Sequence, residues 1–330
     1  MAKETKFRCA VYMAGCGVNI FSNYPKTFDL LNTGPFVNFI PEYSCNKKKA
    51  NSGYSIIYIK DGVSSAKMLD DKTLEIRGPL KEISKASTIP YRAHFMIEPQ
   101  LNNNSIFTTQ GAGVSKNQKA ILLMGKRGSG KTSISLELCR KYNFNLIGND
   151  LVLVGLKNSN GYLFGGTKVF PIRFTTVRYY NEDLQKYFEN TTKTDEWIDK
   201  INLYPKDLAI SVEKKLPVKM IKAFYVHLDN NKSAPLHIQK IGKKGTLYMG
   251  SLFLYEELSR YIRGVCNQVV VGPRFNLVGY LPSLDTDDYH KKRIRLINWL
   301  LNNFGFYYIS GSMKSICDYF SNCLETSNAS

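Results

Sequence analysis

The chain has 330 residues, with 45 Lys and Arg against 27 Asp and Glu, so its net charge near neutral pH is +18. Hydrophobic residues supply 43% of the sequence and aromatic residues 12%, which excludes an intrinsically disordered protein. The length predicts two lobes with enough residues to bury a core, and the positive charge favours anionic partners.

The distribution of apolar residues and cysteines excludes a membrane-spanning protein and a disulfide-rich or zinc-binding one. No apolar run approaches the roughly 18 residues that cross a bilayer, so we expect no membrane association and a cytoplasmic location. The seven cysteines include no CxxC pair, so neither a disulfide framework nor a zinc site is expected. The basic residues are dispersed, and their short runs, such as residues 291–293, are typical of solvated faces.

Residues 1–104 predict a smaller, β-rich N-terminal lobe. Short apolar runs at residues 54–59 and 73–77 are typical of strands, and a turn signal at Asp61-Gly62 follows the first of them. A polar connection then leads to the second predicted domain, residues 105–330.

A complete phosphate-binding motif, GxxxxGK[ST], occupies residues 125–132. It follows an apolar run at residues 120–124 that predicts a buried strand, and it precedes a helical pattern at residues 133–141. Glycines let the backbone turn its N–H groups around a phosphate, while Lys131 reaches the phosphate oxygens and the Thr132 hydroxyl can bind Mg²⁺. The predicted nucleotide-binding residues are Gly125, Lys126, Arg127, Gly128, Ser129, Gly130, Lys131, Thr132 and Ser133.

An acidic residue, Asp150, follows 19 positions after Lys131, one helix and one short predicted strand beyond the loop. Phosphoryl transfer depends on positioning and charge neutralisation more than on covalent chemistry. Our hypothesis is that Asp150 accepts the proton of an incoming hydroxyl or, alternatively, holds a metal-bound water. Lys131 would stabilise charge on the transferring phosphoryl group. Thr132 and Asp150 are therefore the predicted metal-binding residues.

These motifs resemble the HPr kinase/phosphorylase superfamily, whose catalytic domain couples a GxxxxGK[ST] loop to a nearby Asp-Asp pair at a strand end. The similarity covers about residues 106–175. Within it, residues 106–114 stand where the family has a His-Gly step, and residues 164–174 resemble its proline-containing segment. The opening, residues 15–25, is similar to that of HPr-kinase-like proteins that accompany peptide-tailoring systems.

The resemblance implies an α/β fold with a P-loop kinase core, ATP or GTP and Mg²⁺ as cofactors, and phosphoryl transfer to Ser or Thr of a peptide or protein. Phosphoryl transfer also calls for a further cation opposite the developing charge, which would be a third catalytic residue. The candidate arginines are Arg173, Arg178, Arg263 and Arg274. Arg173 is preferred because it lies in the segment that resembles the family.

The chain departs from the family at three places. Asn149 stands where the family has its first Asp, Gln110 replaces the upstream His, and no Glu occurs between Gly165 and Tyr180. These departures argue against phosphorylase activity and against HPr itself as the substrate.

Two alternatives stay open at this point. An RNA or small-molecule kinase is favoured by the net charge, which makes RNA or another polyanion a candidate partner. A nucleotide-sensing module without transfer chemistry is favoured by Asn149 and Gln110. Because the family often assembles, a homo-oligomer is a further alternative.

Hydrophobic periodicity predicts the remaining elements of the second domain. Helices are predicted at residues 182–200, 252–263, 289–304 and 313–324, and buried strands at residues 220–228 and 306–309. The acidic cluster of Asp285, Asp287 and Asp288 is typical of a helix start and not of a metal site.

Overall fold

The computed structural model describes residues 4–33, 35–79, 89–180, 182–188, 200–242, 245–263, 269–271 and 277–325. The chain is a mixed α/β protein that divides into two units. The first unit comprises Met1–Thr109 and Leu254–Leu296, and the second comprises Gln110–Phe253 and Ile297–Ser330. The sequence predicts one domain over residues 105–330, whereas in the structure Leu254–Leu296 groups with the N-terminal residues.

The described part of the chain contains both strands and helices. The strands are β1 (Lys6–Met13), β2 (Cys16–Ser22), β3 (Tyr43–Asn46), β4 (Ser55–Lys60), β5 (Ser65–Met68), β6 (Thr73–Gly78), β7 (Ile106–Lys116), β8 (Lys119–Met124), β9 (Asn145–Lys157), β10 (Asn160–Gly166), β11 (Phe170–Arg173), β12 (Lys200–Leu203), β13 (Val218–Leu228), β14 (His237–Ile241), β15 (Val269–Val271), β16 (Leu277–Tyr280) and β17 (Phe306–Gly311). The α-helices are α1 (Thr27–Thr33), α2 (Ile89–Asn103), α3 (Lys131–Lys141), α4 (Phe174–Tyr180), α5 (Leu247–Ser259), α6 (Asp287–Asn298) and α7 (Met313–Glu325). Short 3-10 helices cover Pro35–Asn38, Glu182–Phe188 and Pro205–Leu208, and a π-helix covers Trp299–Phe304. Among the described residues, no helix combines the length and apolar composition that a bilayer crossing requires.

The first unit is built on an eight-stranded sheet with the order β15-β16-β5-β6-β4-β2-β1-β3. A two-residue turn joins β1 to β2, with Ala14 and Gly15 at φ of 47° and 84°, as in tight antiparallel hairpins. Helix α2 packs against β1, β2 and β4, and it contributes the fully buried side chains of Phe95 and Met96. The core of this unit therefore lies between the sheet and α2.

The second unit contains a seven-stranded sheet with the order β10-β9-β7-β8-β13-β17-β14, and a separate two-stranded sheet of β11 and β12. Strands β8 and β17 both run parallel to β13. The apolar residues 120–124 of β8 are fully buried, and helices α3 and α7 pack against each other and against the sheet. Because β8 and β13 are parallel neighbours, their carboxyl ends lie at the same edge, where the phosphate-binding motif follows β8.

The strongly apolar elements of the second unit match their predictions. The predicted strands at residues 120–124, 220–228 and 306–309 correspond to β8, β13 and β17. The predicted helix at residues 313–324 corresponds to α7. These elements can be predicted from the sequence because each has a regular pattern of apolar residues that are buried in the structure.

Two predicted helices differ from the structure. The segment predicted helical at residues 182–200 begins as the 3-10 helix Glu182–Phe188, and residues 189–199 lie outside the described residues. The segment at residues 289–304 divides into α6 and the π-helix Trp299–Phe304. Its wider turn brings the rings of Trp299 and Phe304 into a stack, with centroids 4.4 Å apart.

The basic run at residues 291–293 is not uniformly solvated as expected. Arg293 is fully buried, and its guanidinium makes two hydrogen bonds to the Asp285 carboxylate, at 2.8 and 3.0 Å. Asp287, by contrast, is exposed in the first turn of α6, as predicted for a helix start. The acidic cluster therefore divides between an ion pair and a helix N-terminus.

Candidate functional site

The loop between β8 and α3 has a backbone that only glycine fits at two positions. Gly125 and Gly130 have φ of 146° and 93°, in the left-handed region. A Cβ atom on Gly125 would lie 2.6 Å from Ser129 Oγ, and one on Gly130 would lie 2.4 Å from Leu228 Cβ. Leu228 also donates its backbone N–H to the Ser129 carbonyl at 3.0 Å. The loop is thereby fixed to the carboxyl end of β13.

The φ angles of the loop glycines are those of an anion-binding concavity where the loop enters α3. Gly128 and Gly130 have φ of 84° and 93°, and left-handed residues alternating with right-handed ones turn successive N–H groups into one concavity. Gly130 is the N-cap residue, and no side chain caps the helix. The first N–H groups of a helix lack intrahelical partners and carry the positive end of its dipole. This concavity therefore suits a phosphate group.

Lys131 folds back over the loop. Its Nζ donates hydrogen bonds to the carbonyl of Gly125 at 2.6 Å and to that of Lys126 at 3.0 Å. Thr132 is half-buried in the first turn of α3, and its carbonyl accepts a hydrogen bond from Ser135 Oγ at 3.0 Å. The lysine ammonium thus lies over the loop backbone, where the motif requires it to meet phosphate oxygens.

Asp150 lies within β9, whereas a short strand ahead of it was expected. The strand continues from Asn145 to Lys157. Asp150 has φ of 78°, an uncommon conformation for a residue that has a side chain. It is exposed, while Asn149 and Leu151 on either side are buried. Such a left-handed residue costs of order 1–3 kcal/mol, and strained backbone of this kind clusters at functional sites.

The charges around Asp150 act on its protonation. Desolvation by the surrounding protein raises the pKa of the carboxyl above its ordinary value, and the positive charges of Lys131 and Lys200 oppose that shift. Since the residue retains solvent-exposed surface, hydration limits the effect. Asp150 is therefore a carboxylate near the loop lysine with a higher proton affinity than a free aspartate, as a general base requires.

Asn149 is a core residue and not a member of the polar site. Its side chain is fully buried. The Nδ2 group donates to the Val169 carbonyl at 2.9 Å, and Oδ1 accepts a hydrogen bond from Ser135 Oγ at 3.2 Å. The amide therefore joins β9 to α3 through Oδ1 and to the Val169 carbonyl through Nδ2. A carboxylate could not make the second of these bonds because it has no N–H to donate.

Arg173, the predicted catalytic cation, lies at the end of β11, directly opposite Lys200 on β12. Cross-strand partners share one face of a strand pair, so both cations lie on the face opposite buried Ile172. Burial lowers the pKa of Lys200, as do the charges of Arg173 and Arg127, whereas the charge of Asp150 raises it. The second unit thus brings Arg173, Lys200 and Asp150 into one electrostatic neighbourhood.

The remaining predicted residues differ in placement. Arg178 is exposed on α4, Arg263 belongs to the first unit, and Arg274 lies outside the described residues. Gln110 is half-buried on β7. The burial of the predicted nucleotide-binding residues is as follows: Gly125, Ser129 and Ser133 are buried, Gly130, Lys131 and Thr132 are half-buried, and Lys126, Arg127 and Gly128 are exposed.

Two charged residues near the loop are not predicted from the sequence. Asp229 directly follows β13, so it lies at the edge where the loop follows β8. Its Oδ1 accepts a hydrogen bond from the Asn231 N–H at 2.8 Å. The missed signal was an apolar strand that ends in an acidic residue. Lys200 had no such signal, because its pairing with Arg173 depends on how the chain folds between them.

No protein-family model matches the chain, and no curated protein matches it. Among solved structures, the chain is similar to the HPr(Ser) kinase/phosphatase from Coxiella burnetii, with 13% sequence identity and a TM-score of 0.26. The match covers 42% of this chain and 79% of that one. The structural similarity to a kinase/phosphatase is weak, so the chemistry of the site is taken from its own residues.

Proposed function

We propose that the chain is an ATP-dependent, Mg²⁺-assisted phosphotransferase that moves a γ-phosphoryl group to a hydroxyl acceptor. The main support is the electrostatic coupling of Asp150 to Lys131, which pairs a carboxylate of raised pKa with the lysine of a phosphate-binding motif. Asp150 is also exposed on a strained backbone, where an acceptor can reach it. GTP is the alternative donor, because the loop contacts phosphates and not the base.

The first step is nucleotide binding at the start of α3. The phosphates would occupy the concavity formed by the loop N–H groups. Lys131 Nζ now bonds to two neutral carbonyls, those of Gly125 and Lys126. A phosphate oxygen is a charged and stronger acceptor, so we expect Nζ to exchange at least one of these carbonyls for the nucleotide.

Two oxygen donors of the site fit a magnesium ion. Mg²⁺ prefers hard oxygen ligands and usually takes only one or two from the protein, with waters and substrate phosphates supplying the rest. The Thr132 hydroxyl, in the first turn of α3, and the exposed Asp150 carboxylate are donors of that type. These two residues would hold the ion, which would neutralise phosphate charge when bound.

The transfer step follows from the charges of the site. The acceptor hydroxyl oxygen attacks the γ-phosphorus while its proton passes to an oxygen of Asp150, and the bond from the γ-phosphorus to the bridging oxygen breaks to release the diphosphate. Lys131 and Arg173 stabilise the negative charge on the transferring group. In the alternative assignment, Asp150 holds a metal-bound water and does not act as the base.

The proposed acceptor is Ser or Thr in a peptide or protein, which rests on the resemblance of residues 106–175. An RNA or small-molecule acceptor rests on the net charge of +18. A nucleotide sensor without transfer chemistry is the other alternative, and it was favoured by Asn149 in place of the family's first Asp. Because Asn149 is a buried residue with a structural role, its presence is a weak argument for that alternative. A cytoplasmic location and a homo-oligomer stay predictions.

Transfer of labelled γ-phosphate tests the proposal. Wild type would be incubated with ATP or GTP and Mg²⁺ in a cell lysate separated into peptide, protein, RNA and small-molecule fractions. Lys131→Ala and Asp150→Asn would be assayed beside it, with Lys206→Ala as a matched control. Lys206 is an exposed lysine of the 3-10 helix Pro205–Leu208.

Label in one fraction with wild type and Lys206→Ala, and none with the other two variants, would support the proposal and identify the acceptor class. Equal labelling by wild type and Asp150→Asn would refute the base assignment. Nucleotide binding without label in any fraction would favour the sensing module. Thermal unfolding of each variant would show that lost transfer does not reflect lost folding.

A further inference from the structure

The two-stranded sheet of β11 and β12 places two cations side by side. In its register, Arg173 is directly opposite Lys200, and Ile172 is opposite Ile201 on the other face. Ile172 is buried, whereas Lys200 is exposed and Arg173 is half-buried. One face of the strand pair is therefore apolar and packs on the core. The other face is polar and carries two positive charges at one end.

Two cations directly opposite each other favour the binding of an anion. Like charges directly opposite each other destabilise a strand pair. Within the described residues, neither Arg173 nor Lys200 forms a hydrogen bond or an ion pair with a carboxylate. A third cation, Arg127 of the phosphate-binding loop, adds to the repulsion on Lys200, and in the described part of the chain the charge of Asp150 opposes it.

The balance of charge indicates the kind of anion. Among the described residues, Arg127, Arg173 and Lys200 contribute three positive charges here and Asp150 contributes one negative charge, which leaves an excess of two positive charges. A phosphate monoester carries about −1.5 to −2 at neutral pH. Guanidinium groups match the geometry of phosphate oxygens, and an ammonium group adds a compact point charge. A phosphate group therefore fits both the charge and the donor types.

The nucleotide phosphates have their own partners. The proposed nucleotide site uses the N–H groups at the start of α3 together with Lys131. Asp150 is affected by Lys131 and by Lys200, whereas the cations that act on Lys200 are Arg173 and Arg127. The general base thus has the loop lysine as one cationic neighbour and Lys200 of the cross-strand pair as another.

We propose that Arg173 and Lys200, assisted by Arg127, form a second phosphate subsite beside Asp150 that binds a phosphate group carried by the acceptor. That the bound phosphate belongs to the acceptor rests on the proposed function. The existence of the subsite does not depend on it. The subsite restricts the acceptor to a phosphorylated molecule whose free hydroxyl reaches Asp150. It also assigns Lys200 to acceptor binding and not to the binding of the nucleotide. Arg173, whose guanidinium has five N–H donors, would contact both the acceptor's phosphate and the transferring group.

Calorimetric titration with inorganic phosphate tests the subsite without requiring turnover. The full chain would first be saturated with Mg²⁺ and a non-hydrolysable ATP analogue, and phosphate would then be added. We expect one phosphate per chain to bind in addition to the analogue. In Lys200→Met and in Arg173→Met, its affinity should fall about tenfold or more, as for loss of one charge-assisted contact.

The control is Lys206→Met, which makes the same change at an exposed lysine of the neighbouring 3-10 helix. It should leave phosphate affinity within about twofold of wild type, since an exposed charge that does not contact the phosphate is screened by salt. Phosphate affinity unchanged in Lys200→Met would overturn the inference. So would complete loss of phosphate binding when the analogue is bound, because the cations would then serve the nucleotide.

The same titration on Lys131→Ala without nucleotide separates this inference from the proposed function. If phosphate binding persists there and is lost in Lys200→Met, the subsite stands even when no transfer activity is found. If phosphate binding is lost in Lys131→Ala and kept in Lys200→Met, phosphate binds only at the loop and the second subsite does not exist. Unfolding temperatures close to that of wild type would confirm that each variant is folded.

Discussion

Asn149 and Ser135 share a hydrogen bond of 3.2 Å between Oδ1 and Oγ, which joins β9 to the helix that follows the phosphate-binding loop. The neighbouring residue on β9 is Asp150, so the position of the proposed base relative to the loop depends on this buried contact. Asn149 also donates to the Val169 carbonyl at 2.9 Å. The amide is thus satisfied as both donor and acceptor, which explains why a polar residue is tolerated at a fully buried position.

Replacing this amide by a carboxylate should destabilise the second unit. We expect Asn149→Asp to lower the free energy of unfolding by about 2–3 kcal/mol, because an ionised carboxylate cannot donate to the Val169 carbonyl and is costly to bury. Urea denaturation followed by circular dichroism measures the loss. Asn160→Asp is the matched control, since Asn160 donates to the Asn158 carbonyl at 3.0 Å in a solvent-exposed bond. Equal stability of wild type and Asn149→Asp would show that the amide has no such role.

The raised pKa of Asp150 gives a pH dependence with a definite sign. The folded state binds this proton more tightly than the unfolded state does, because the pKa of Asp150 is raised on folding. The contribution of Asp150 to stability therefore falls as pH rises from its pKa in the unfolded chain, about 3.9, through its higher pKa in the folded protein. Asp150→Asn lacks this titration. The unfolding temperature of wild type relative to Asp150→Asn should therefore fall as pH increases across that window. A difference that is constant with pH, or that rises, would contradict the upward shift.

The buried pair of Arg293 and Asp285 predicts a large effect in the first unit. Removing the carboxylate with Asp285→Ala would leave a buried, unpaired guanidinium, and we expect a loss of about 3–5 kcal/mol in the free energy of unfolding. Asp287→Ala, at an exposed position in the first turn of α6, should cost about 0.3–1 kcal/mol. The double variant Asp285→Ala with Arg293→Met should recover part of the loss. Denaturant unfolding of the three variants measures these free energies. Equal losses for Asp285→Ala and Asp287→Ala would show that the buried ion pair contributes no more to stability than an exposed helix-terminal charge.

The sequence predicts those parts of the site whose structure depends on one short segment of the chain. The phosphate-binding loop is contiguous, and its glycines and Lys131 have their roles because of backbone mechanics within that segment. The left-handed backbone of Asp150 was not predictable in the same way, because β9 continues past it through pairing with Thr167. The Thr167 carbonyl accepts the Asn149 N–H at 3.0 Å, and the Thr167 N–H donates to the Leu151 carbonyl at 3.0 Å.

Residues that act through distant partners could not be predicted from the sequence. Arg293 belongs to a basic run that looks solvated, but its guanidinium is buried beside Asp285 and lies 5.3 Å from the centroid of the Tyr255 ring. Lys200 acquires its position only when β12 pairs with β11 and brings it opposite Arg173. In both cases tertiary structure determines the environment of the charge, and no local signal encodes it.

Two glycines of the phosphate-binding loop allow a matched test of its geometry. Gly128 and Gly130 have similar φ, 84° and 93°, so an alanine at either position pays the same left-handed strain of about 1–2 kcal/mol. They differ in space: a Cβ on Gly128 meets no atom within 4 Å, whereas one on Gly130 would lie 2.4 Å from Leu228 Cβ. Because Leu228 belongs to the buried end of β13, Gly130→Ala must displace the loop or the strand.

We therefore expect Gly130→Ala to abolish binding of a fluorescent ATP analogue and to lower the unfolding temperature. Gly128→Ala should keep detectable binding, weakened by about tenfold, since part of its strain is expressed as lost affinity. Both measurements use the full chain with Mg²⁺ present. If the two variants bind the analogue equally, contact with Leu228 does not control the loop, and if both bind as wild type does, the nucleotide does not use this loop at all.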